Sequence, residues 1–197
     1  MKMPKGLLSF FGRPWLQYQL DCYRRAGGKT AVVVLGFKAG DYLTALPFLN
    51  IGQTVDADGL EITTLINPLP QFGPFSTIQT GLSFLLRKDF PSFSFLALDR
   101  PAPLPAVWHE LADILNDKKA DMVFPVRNGK DGHPVMLSKT FAQNIVALDP
   151  ETSRMDKLRA TLPDGACLAV EQTDANVGFN LNTPEQWQEF LNQRGTV

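Results

Sequence analysis

The chain has 197 residues, of which 44% are hydrophobic and 20% are charged, and its formal net charge is −1. This length fits one folded domain over residues 1–197, and the composition is that of an ordered globular protein. A net charge so close to zero gives no extended positive field for a phosphodiester backbone, which argues against a nucleic-acid partner.

Cysteine usage and hydropathy limit the compartment in which the chain works. Cys22 and Cys167 are far apart in sequence and form neither a zinc-binding pattern nor a disulfide framework. No apolar stretch is long enough to cross a bilayer. We therefore expect a cytoplasmic protein without a membrane partner, present as a monomer or a weak homo-oligomer.

Helical and extended hydrophobic patterns alternate along the chain. Apolar residues at i, i+4 and i+7 predict a helix from about Pro14 to Arg25 that ends at Gly27-Gly28. The aliphatic run from Ala31 to Leu35 predicts a strand buried on both faces. Further strands are predicted at Leu60 to Ile66, Phe93 to Leu98, Asp121 to Val126, Val135 to Leu137 and 167 to 171. Further helices are predicted at 41 to 49, after a capping box at Ser76 to Gln79, from Pro105, at 139 to 147, at 152 to 161 and after Thr183.

This alternation predicts an α/β fold with a doubly wound, mostly parallel sheet. Asn128-Gly129 predicts a hairpin turn that interrupts the alternation. Ligands of such sheets bind at the carboxyl ends of the strands, and we expect a nucleotide there.

Two charged residues are candidates for chemistry at that edge. Asp99 directly follows a predicted strand, and a single carboxylate completed by water and substrate phosphates is a common way to hold Mg²⁺. The alternative is an ordinary turn or helix-cap aspartate. Lys5 stands between Pro4 and Gly6 and could present a positive charge to a phosphate, or could simply be solvated.

Polar residues in two other segments have alternative interpretations. Asn180 and Asn182 share one face if their segment is extended, although Asn182 also suits the start of the last helix. His133 either contacts a ligand or acts as an acid or base, or it is a turn histidine held by backbone hydrogen bonds.

Four segments, in this order, carry a resemblance over nearly the whole chain: Pro4 to Trp15, Asn67 to Pro74, Leu98 to Pro101 and Phe179 to Glu185. Together they resemble the molybdenum-cofactor guanylyltransferases and the wider MobA-like nucleotidyltransferase family. The resemblance implies a Rossmann-like three-layer sandwich of the nucleotide-diphospho-sugar transferase type. It also implies transfer of GMP from GTP, or of CMP from CTP, to molybdopterin with release of pyrophosphate.

The same resemblance implies roles for individual residues. Lys5 matches the lysine that meets the nucleotide phosphates, and Asp99 matches the aspartate that binds Mg²⁺, so these two are the expected catalytic residues. Asn180 and Asn182 match the product-side or cofactor-side segment. Asn67 stands where guanylyl members usually carry an aspartate near the nucleotide. The segment Gly132 to Pro134 is similar to one in the cytidylyl branch, which leaves GTP and CTP both open.

The sequence departs from the family at its start. Family members begin with a strand and a glycine-rich phosphate-binding loop, of which only Lys2 to Lys5 matches here. The absent strand belongs at the middle of the sheet, so its neighbours lose hydrogen bonds unless something fills the gap. A start upstream of Met1, a shortened protein that binds triphosphate poorly, and a strand supplied by another segment or subunit all remain open. So do two other functions: a non-catalytic homologue that binds a nucleotide or molybdopterin, and a sugar-1-phosphate nucleotidyltransferase.

Overall fold

The computed structural model describes residues 3–194, so Met1 and Lys2 lie outside the described part of the chain. The strands are β1 (Ser9–Phe10), β2 (Arg13–Pro14), β3 (Thr30–Leu35), β4 (Thr54–Ala57), β5 (Leu60–Ile66), β6 (Ser92–Phe95), β7 (Met122–Arg127), β8 (Lys130–Asp131), β9 (Val135–Ser138) and β10 (Cys167–Glu171). The helices are α1 (Trp15–Arg25), α2 (Ala39–Ala45), α3 (Gly73–Leu85), α4 (Pro105–Lys118), α5 (Lys139–Val146), α6 (Met155–Thr161) and α7 (Pro184–Arg194). Short 3₁₀ turns are formed by Lys5–Leu7, Pro70–Phe72 and Ala175–Gly178.

The strands in this part of the chain form two principal sheets and a small hairpin. One sheet has the order β10-β7-β9-β6 with β8 attached to β7, the other has the order β3-β5-β4, and β1 pairs with β2. The β3–β5 and β7–β10 pairs are parallel, whereas β4 and β9 run antiparallel to their neighbours. The predicted α/β class is confirmed. The expected mostly parallel sheet is not, because antiparallel pairs outnumber the parallel ones among the described strands and the sheets are mixed.

Helix α3 packs on both principal sheets. A Cβ built on Gly81 would lie 3.4 Å from Val34 Cγ2 of β3, and Leu82 belongs to the same apolar cluster as Phe93 of β6. Within residues 3–194, β3 and β6 are each the end strand of their sheet. This is the arrangement expected when a central strand is absent from the described residues. We call this boundary between β3 and β6 the seam.

The hydrogen bonds of β3 show which of its backbone groups face the seam. The carbonyl oxygens of Lys29 and Leu35 accept from Glu61 and Asn67 on the β5 side. Because backbone groups of alternate residues point to opposite edges of a strand, the even-numbered residues of β3 face the seam.

One predicted helix start is wrong. Helix α3 begins at Gly73 rather than at a capping box formed by Ser76 and Gln79, because Pro74 suits the first turn. Ser76 lies inside the helix and donates its hydroxyl to the carbonyls of Leu69 and Gly73. Gln79 Nε2 donates to carbonyl oxygens near the end of α5, at 2.9 Å and 2.7 Å.

The predicted strand from Phe93 to Leu98 is also too long at its end. Strand β6 pairs with β9 only as far as Phe95 opposite Val135, since the preceding Pro134 has no N–H to continue the ladder. Asp99 therefore lies in a turn beyond the strand and does not directly follow it.

Other boundaries differ less. The helices predicted at 41 to 49 and 152 to 161 are Ala39–Ala45 and Met155–Thr161, while strands β1, β2, β4 and β8 were not predicted. The predicted hairpin turn is confirmed, because Asn128 and Gly129 have φ of 51° and 73° between β7 and β8. No helix among residues 3–194 is long and apolar enough to cross a membrane.

Candidate functional site

Three of the candidate residues meet although they are far apart in sequence. Lys5 Nζ donates a 2.5 Å hydrogen bond to Asn182 Oδ1 and lies 3.7 Å from Asp99 Oδ2. Asn182 Nδ2 in turn donates to Asn180 Oδ1 at 2.7 Å. The side chains of Lys5 and Asp99 are 33% and 28% exposed, so a ligand in solvent can reach both. We call Lys5, Asp99, Asn180 and Asn182 the polar cluster.

A tightly packed glycine positions Lys5. Gly6 is buried, and a Cβ built on it would lie 2.6 Å from Tyr42 Cε1 and 2.8 Å from Leu98 Cδ2. Its N–H donates to Tyr42 Oη at 3.1 Å. Only glycine allows the 3₁₀ turn of Lys5 to come this close, and Leu98 is the neighbour of Asp99 in sequence. The contact therefore brings Lys5 beside the carboxylate.

The segment before α7 positions the two asparagines. Thr183 Oγ1 accepts from Gln186 N–H at 3.3 Å, and Gln186 Oε1 accepts from the N–H groups of Asn182 and Thr183 at 2.8 Å and 3.0 Å. This reciprocal capping confirms the predicted start of the last helix. The alternative that Asn182 caps the helix with its side chain is wrong, because that side chain contacts Lys5 and Asn180 instead.

Asn67 does not share a described hydrogen bond with the polar cluster. It is 2% exposed, and its Nδ2 donates to Ser76 Oγ at 2.9 Å and to Thr77 Oγ1 at 3.0 Å. Its Oδ1 accepts from Leu69 N–H at 2.8 Å. The amide of Asn67 is thus occupied in shaping the loop between β5 and α3.

His133 is held by the backbone between β6 and Asp99. Its Nδ1 lies 3.4 Å from both Ala97 N and Phe95 O. Burial, followed by the positive charge of Arg100, lowers the pKa of His133 from 6.5 to about 4. The imidazole is therefore neutral at pH 7, and the interpretation as a backbone-held histidine describes it.

The polar cluster lies near the carboxyl end of β3. Tyr42, which contacts Gly6, belongs to α2, the element that follows β3. The segments that follow β3 and β5 contact each other, because a Cβ built on Gly36 would lie 3.4 Å from Pro70 Cβ. Phe37 beside them is 73% exposed. Phe37 was not among the residues singled out from the sequence.

Asp99 has the chemistry to hold a divalent cation. Its partly exposed carboxylate and the nearby amide oxygens are hard ligands of the kind Mg²⁺ prefers. Among residues 3–194 no group of three or more His, Cys, Asp or Glu side chains is placed to hold a metal. A metal at Asp99 would therefore take most of its ligands from water and substrate phosphates.

The fold and the site together define a class of protein. The chain is an α/β protein of the nucleotide-diphospho-sugar transferase type, with a polar cluster near a carboxyl strand end. Residues 1–166 match the MobA-like NTP transferase domain. The chain belongs to this family of nucleotidyltransferases. None of the curated proteins compared with the chain matches it significantly.

Solved structures share the fold at low sequence identity. Rv0371c from Mycobacterium tuberculosis H37Rv is 18% identical over 98% of this chain and 91% of its own, with a TM-score of 0.72. The same protein has been solved with manganese, at 19% identity, a TM-score of 0.69, and 96% and 91% coverage. HddC from Yersinia pseudotuberculosis with GMP-PN is 14% identical over 98% and 90%, with a TM-score of 0.69. Molybdopterin-guanine dinucleotide biosynthesis protein A from Archaeoglobus fulgidus is 14% identical over 100% and 93%, with a TM-score of 0.69.

Proposed function

We propose that the protein transfers GMP from GTP, or CMP from CTP, to the phosphate of molybdopterin and releases pyrophosphate. The observation that carries the proposal is the contact of Lys5 with both Asp99 and Asn182 near a carboxyl strand end. Family membership supports nucleotidyl transfer. A relative of the same fold bears the name of a molybdopterin-guanine dinucleotide biosynthesis protein, which supports this acceptor.

The chemistry requires neutralised phosphate charge more than a protein base. An acceptor phosphate oxygen forms a bond to the α-phosphorus while the bond to the bridging α–β oxygen breaks, and pyrophosphate leaves with that electron pair. The attacking phosphate is already ionised, so positioning and electrostatics carry the reaction. Asp99 is the residue that would hold Mg²⁺, which supplies charge neutralisation on the phosphates.

In this proposal the Lys5 ammonium can contact either the Asp99 carboxylate or the substrate phosphates. Without a ligand its ammonium faces the Asp99 carboxylate at 3.7 Å. With Mg²⁺ held by that carboxylate, repulsion between like charges would favour contact of the Lys5 ammonium with the substrate phosphates, where it would act as a point charge. Asn182, which accepts a hydrogen bond from Lys5, keeps the ammonium close to the same edge. Asn180, bonded to Asn182, would contact the product side.

Nucleotide recognition is proposed for the loop that Asn67 shapes. The side-chain amide of Asn67 is occupied by its own loop, so we propose that it acts on the nucleotide through the shape of that loop. The exposed ring of Phe37 offers a base a stacking surface at the same edge. These contacts do not favour GTP over CTP.

The direct test is pyrophosphate release by the full chain with molybdopterin, Mg²⁺ and either GTP or CTP. We expect Asp99→Asn to lower kcat by about 10²-fold or more, and Lys5→Met to raise the KM for the nucleotide as well. Asp89→Asn is the matched control, because Asp89 forms a 2.9 Å ion pair with Lys139 and its side chain is 99% exposed. Equal activity of Asp99→Asn and the wild type would overturn the role of Asp99.

Binding and turnover assays on the same protein preparation distinguish two other functions. Binding of molybdopterin or of a nucleotide, without pyrophosphate release, would identify a non-catalytic homologue. Turnover with a hexose 1-phosphate, and none with molybdopterin, would identify a sugar-1-phosphate nucleotidyltransferase.

A further inference from the structure

Helix α1 carries a buried glutamine that is bonded to the turn containing Asp99. Gln19 is 4% exposed, its Nε2 donates to Arg100 O at 2.6 Å, and its Oε1 accepts from Ala102 N–H at 2.9 Å. The NH₂ group and the oxygen of the Gln19 side chain are thus both hydrogen-bonded to backbone groups, which belong to residues two apart in sequence. The Ala102 residue is itself 3% exposed, so its N–H has little access to solvent.

A second side chain of the same helix contacts the same turn. Trp15 stands four residues before Gln19 and therefore on the same helix face. Its Nε1 donates to Leu98 O at 2.8 Å. Trp15 and Gln19 together hold backbone groups of Leu98, Arg100 and Ala102, on either side of Asp99.

The segment before α7 also holds the backbone of Asp99. Its carbonyl oxygen accepts from Leu181 N–H at 2.8 Å. The carboxylate of Asp99 is 28% exposed and faces Lys5. Trp15 and Gln19 are neutral, so they hold the backbone of the turn without changing the charge beside that carboxylate.

We propose that Gln19 is a positioning residue for Asp99: it holds the 98–102 turn in the geometry from which the carboxylate would bind the proposed metal. This inference rests on the function proposed above. Burying a side-chain amide lowers the stability of the fold unless both of its ends are hydrogen-bonded. For packing alone, an apolar side chain would fill this position in the core at a lower free-energy cost. A requirement for the hydrogen bonds themselves explains the glutamine.

The first test measures the metal site in the folded protein. Mn²⁺ binding is followed by electron paramagnetic resonance, well below the melting temperature, for the wild type, Gln19→Met and Asp99→Asn. Methionine keeps the length of the side chain but forms neither hydrogen bond. We expect Gln19→Met to weaken Mn²⁺ binding by about 10- to 100-fold, as residues that orient a metal ligand commonly do. Gln17→Met is the matched control, since Gln17 lies on another face of α1 and is half-buried.

A second variant gives a readout that simple loss of packing would not produce. In Gln19→Glu the ionised carboxylate still accepts from Ala102 N–H but cannot donate to Arg100 O. The protonated acid does both, and burial raises the pKa of such a carboxyl. We therefore expect the Mn²⁺ affinity of Gln19→Glu, relative to that of Gln19→Met, to recover as the pH falls.

We call the hydrogen bonds of Trp15 and Gln19 to the 98–102 turn the clamp, and hydrogen exchange tests it without any ligand. Gln19→Met should speed exchange of the Ala102 amide while amides in β7 keep their protection. Unchanged exchange at Ala102, or unchanged Mn²⁺ affinity of folded Gln19→Met, overturns the positioning role even if Asp99→Asn abolishes binding. If the wild type binds no Mn²⁺, both the proposed metal site and the positioning role are wrong. Faster exchange of the Ala102 amide in Gln19→Met would in that case still show that the clamp exists.

Discussion

Gly6 is the position where the smallest change in the chain should displace the polar cluster. In Gly6→Ala the new methyl group would lie 2.6 Å from Tyr42 Cε1 and 2.8 Å from Leu98 Cδ2. Apolar carbons pack at roughly 3.5–4.0 Å, so the neighbours must move by about 1 Å. Tyr42 is 8% exposed and has little room to move. Overpacking of this kind costs about 1–3 kcal/mol of unfolding free energy.

The same displacement should reach Lys5, because Gly6 follows it in the 3₁₀ turn. A shift of about 1 Å at a reacting centre can cost up to roughly 10²-fold in rate. Urea unfolding gives the change in free energy, and pyrophosphate release gives the change in rate. Gly40→Ala is the control: Gly40 lies in α2 with no atom within 4 Å of its built Cβ, so alanine there should stabilise by about 0.5–1 kcal/mol. Wild-type stability and activity in Gly6→Ala would refute the packing argument.

Three further predictions concern the surroundings of the site. The pKa of His133 is lowered from 6.5 to about 4, so the unfolded chain takes up a proton at this residue at a higher pH than the folded chain does. The unfolding free energy should therefore fall by at most about 3 kcal/mol as the pH drops from 6.5 to about 4. Urea titrations at each pH should show that His133→Phe removes this loss. The amides of Thr30, Val32 and Val34 should exchange hydrogen faster than the odd-numbered amides of β3, and equal protection would mean that something pairs with the seam edge. Asn67→Ala should lower the unfolding free energy by about 2–3 kcal/mol in urea, since it leaves buried partners unpaired, and an unchanged value would contradict the hydrogen bonds described for this loop.

Elements that depend on local sequence were predicted well. The structure confirms the strands at Leu60–Ile66 and Cys167–Glu171 to the residue, and α4 begins at the predicted Pro105. Helix α7 begins where Thr183 and Gln186 cap each other. Aliphatic runs, prolines at helix starts and capping pairs act within a few residues, so a single sequence contains their signal.

Errors arose where distant contacts override local chemistry. The pair Ser76 and Gln79 has the composition of a capping box, but Gln79 is used by carbonyls at the end of α5 and Ser76 by the preceding loop. The end of β6 is set by Pro134, which lies just before β9. Neither contact has a local signature in the sequence.

The residues of the polar cluster could be predicted from the sequence, but a residue that supports the cluster could not. The residue types and the family resemblance identified Lys5, Asp99, Asn180 and Asn182, and the structure brings them together. Gln19 escaped prediction because a glutamine in an amphipathic helix looks like any solvated polar residue. Its burial becomes apparent only when α1 is packed against the 98–102 turn.

The polar cluster lies at the seam, and side-chain packing across the seam therefore sets the position of Lys5 relative to Asp99. Gly6 contacts Tyr42, which packs in the cluster of the β3 sheet, and Leu98, which follows β6 of the other sheet. Within residues 3–194 no strand pairing connects these two sheets, so no hydrogen-bond ladder fixes Lys5 relative to Asp99. The packing of Gly6, the hydrogen bond of Lys5 to Asn182 and the hydrogen bonds of α1 to the 98–102 turn fix it instead. Substitutions of Gly6 or Gln19 should therefore change Mn²⁺ affinity more than substitutions of equal cost to stability in the core of either sheet.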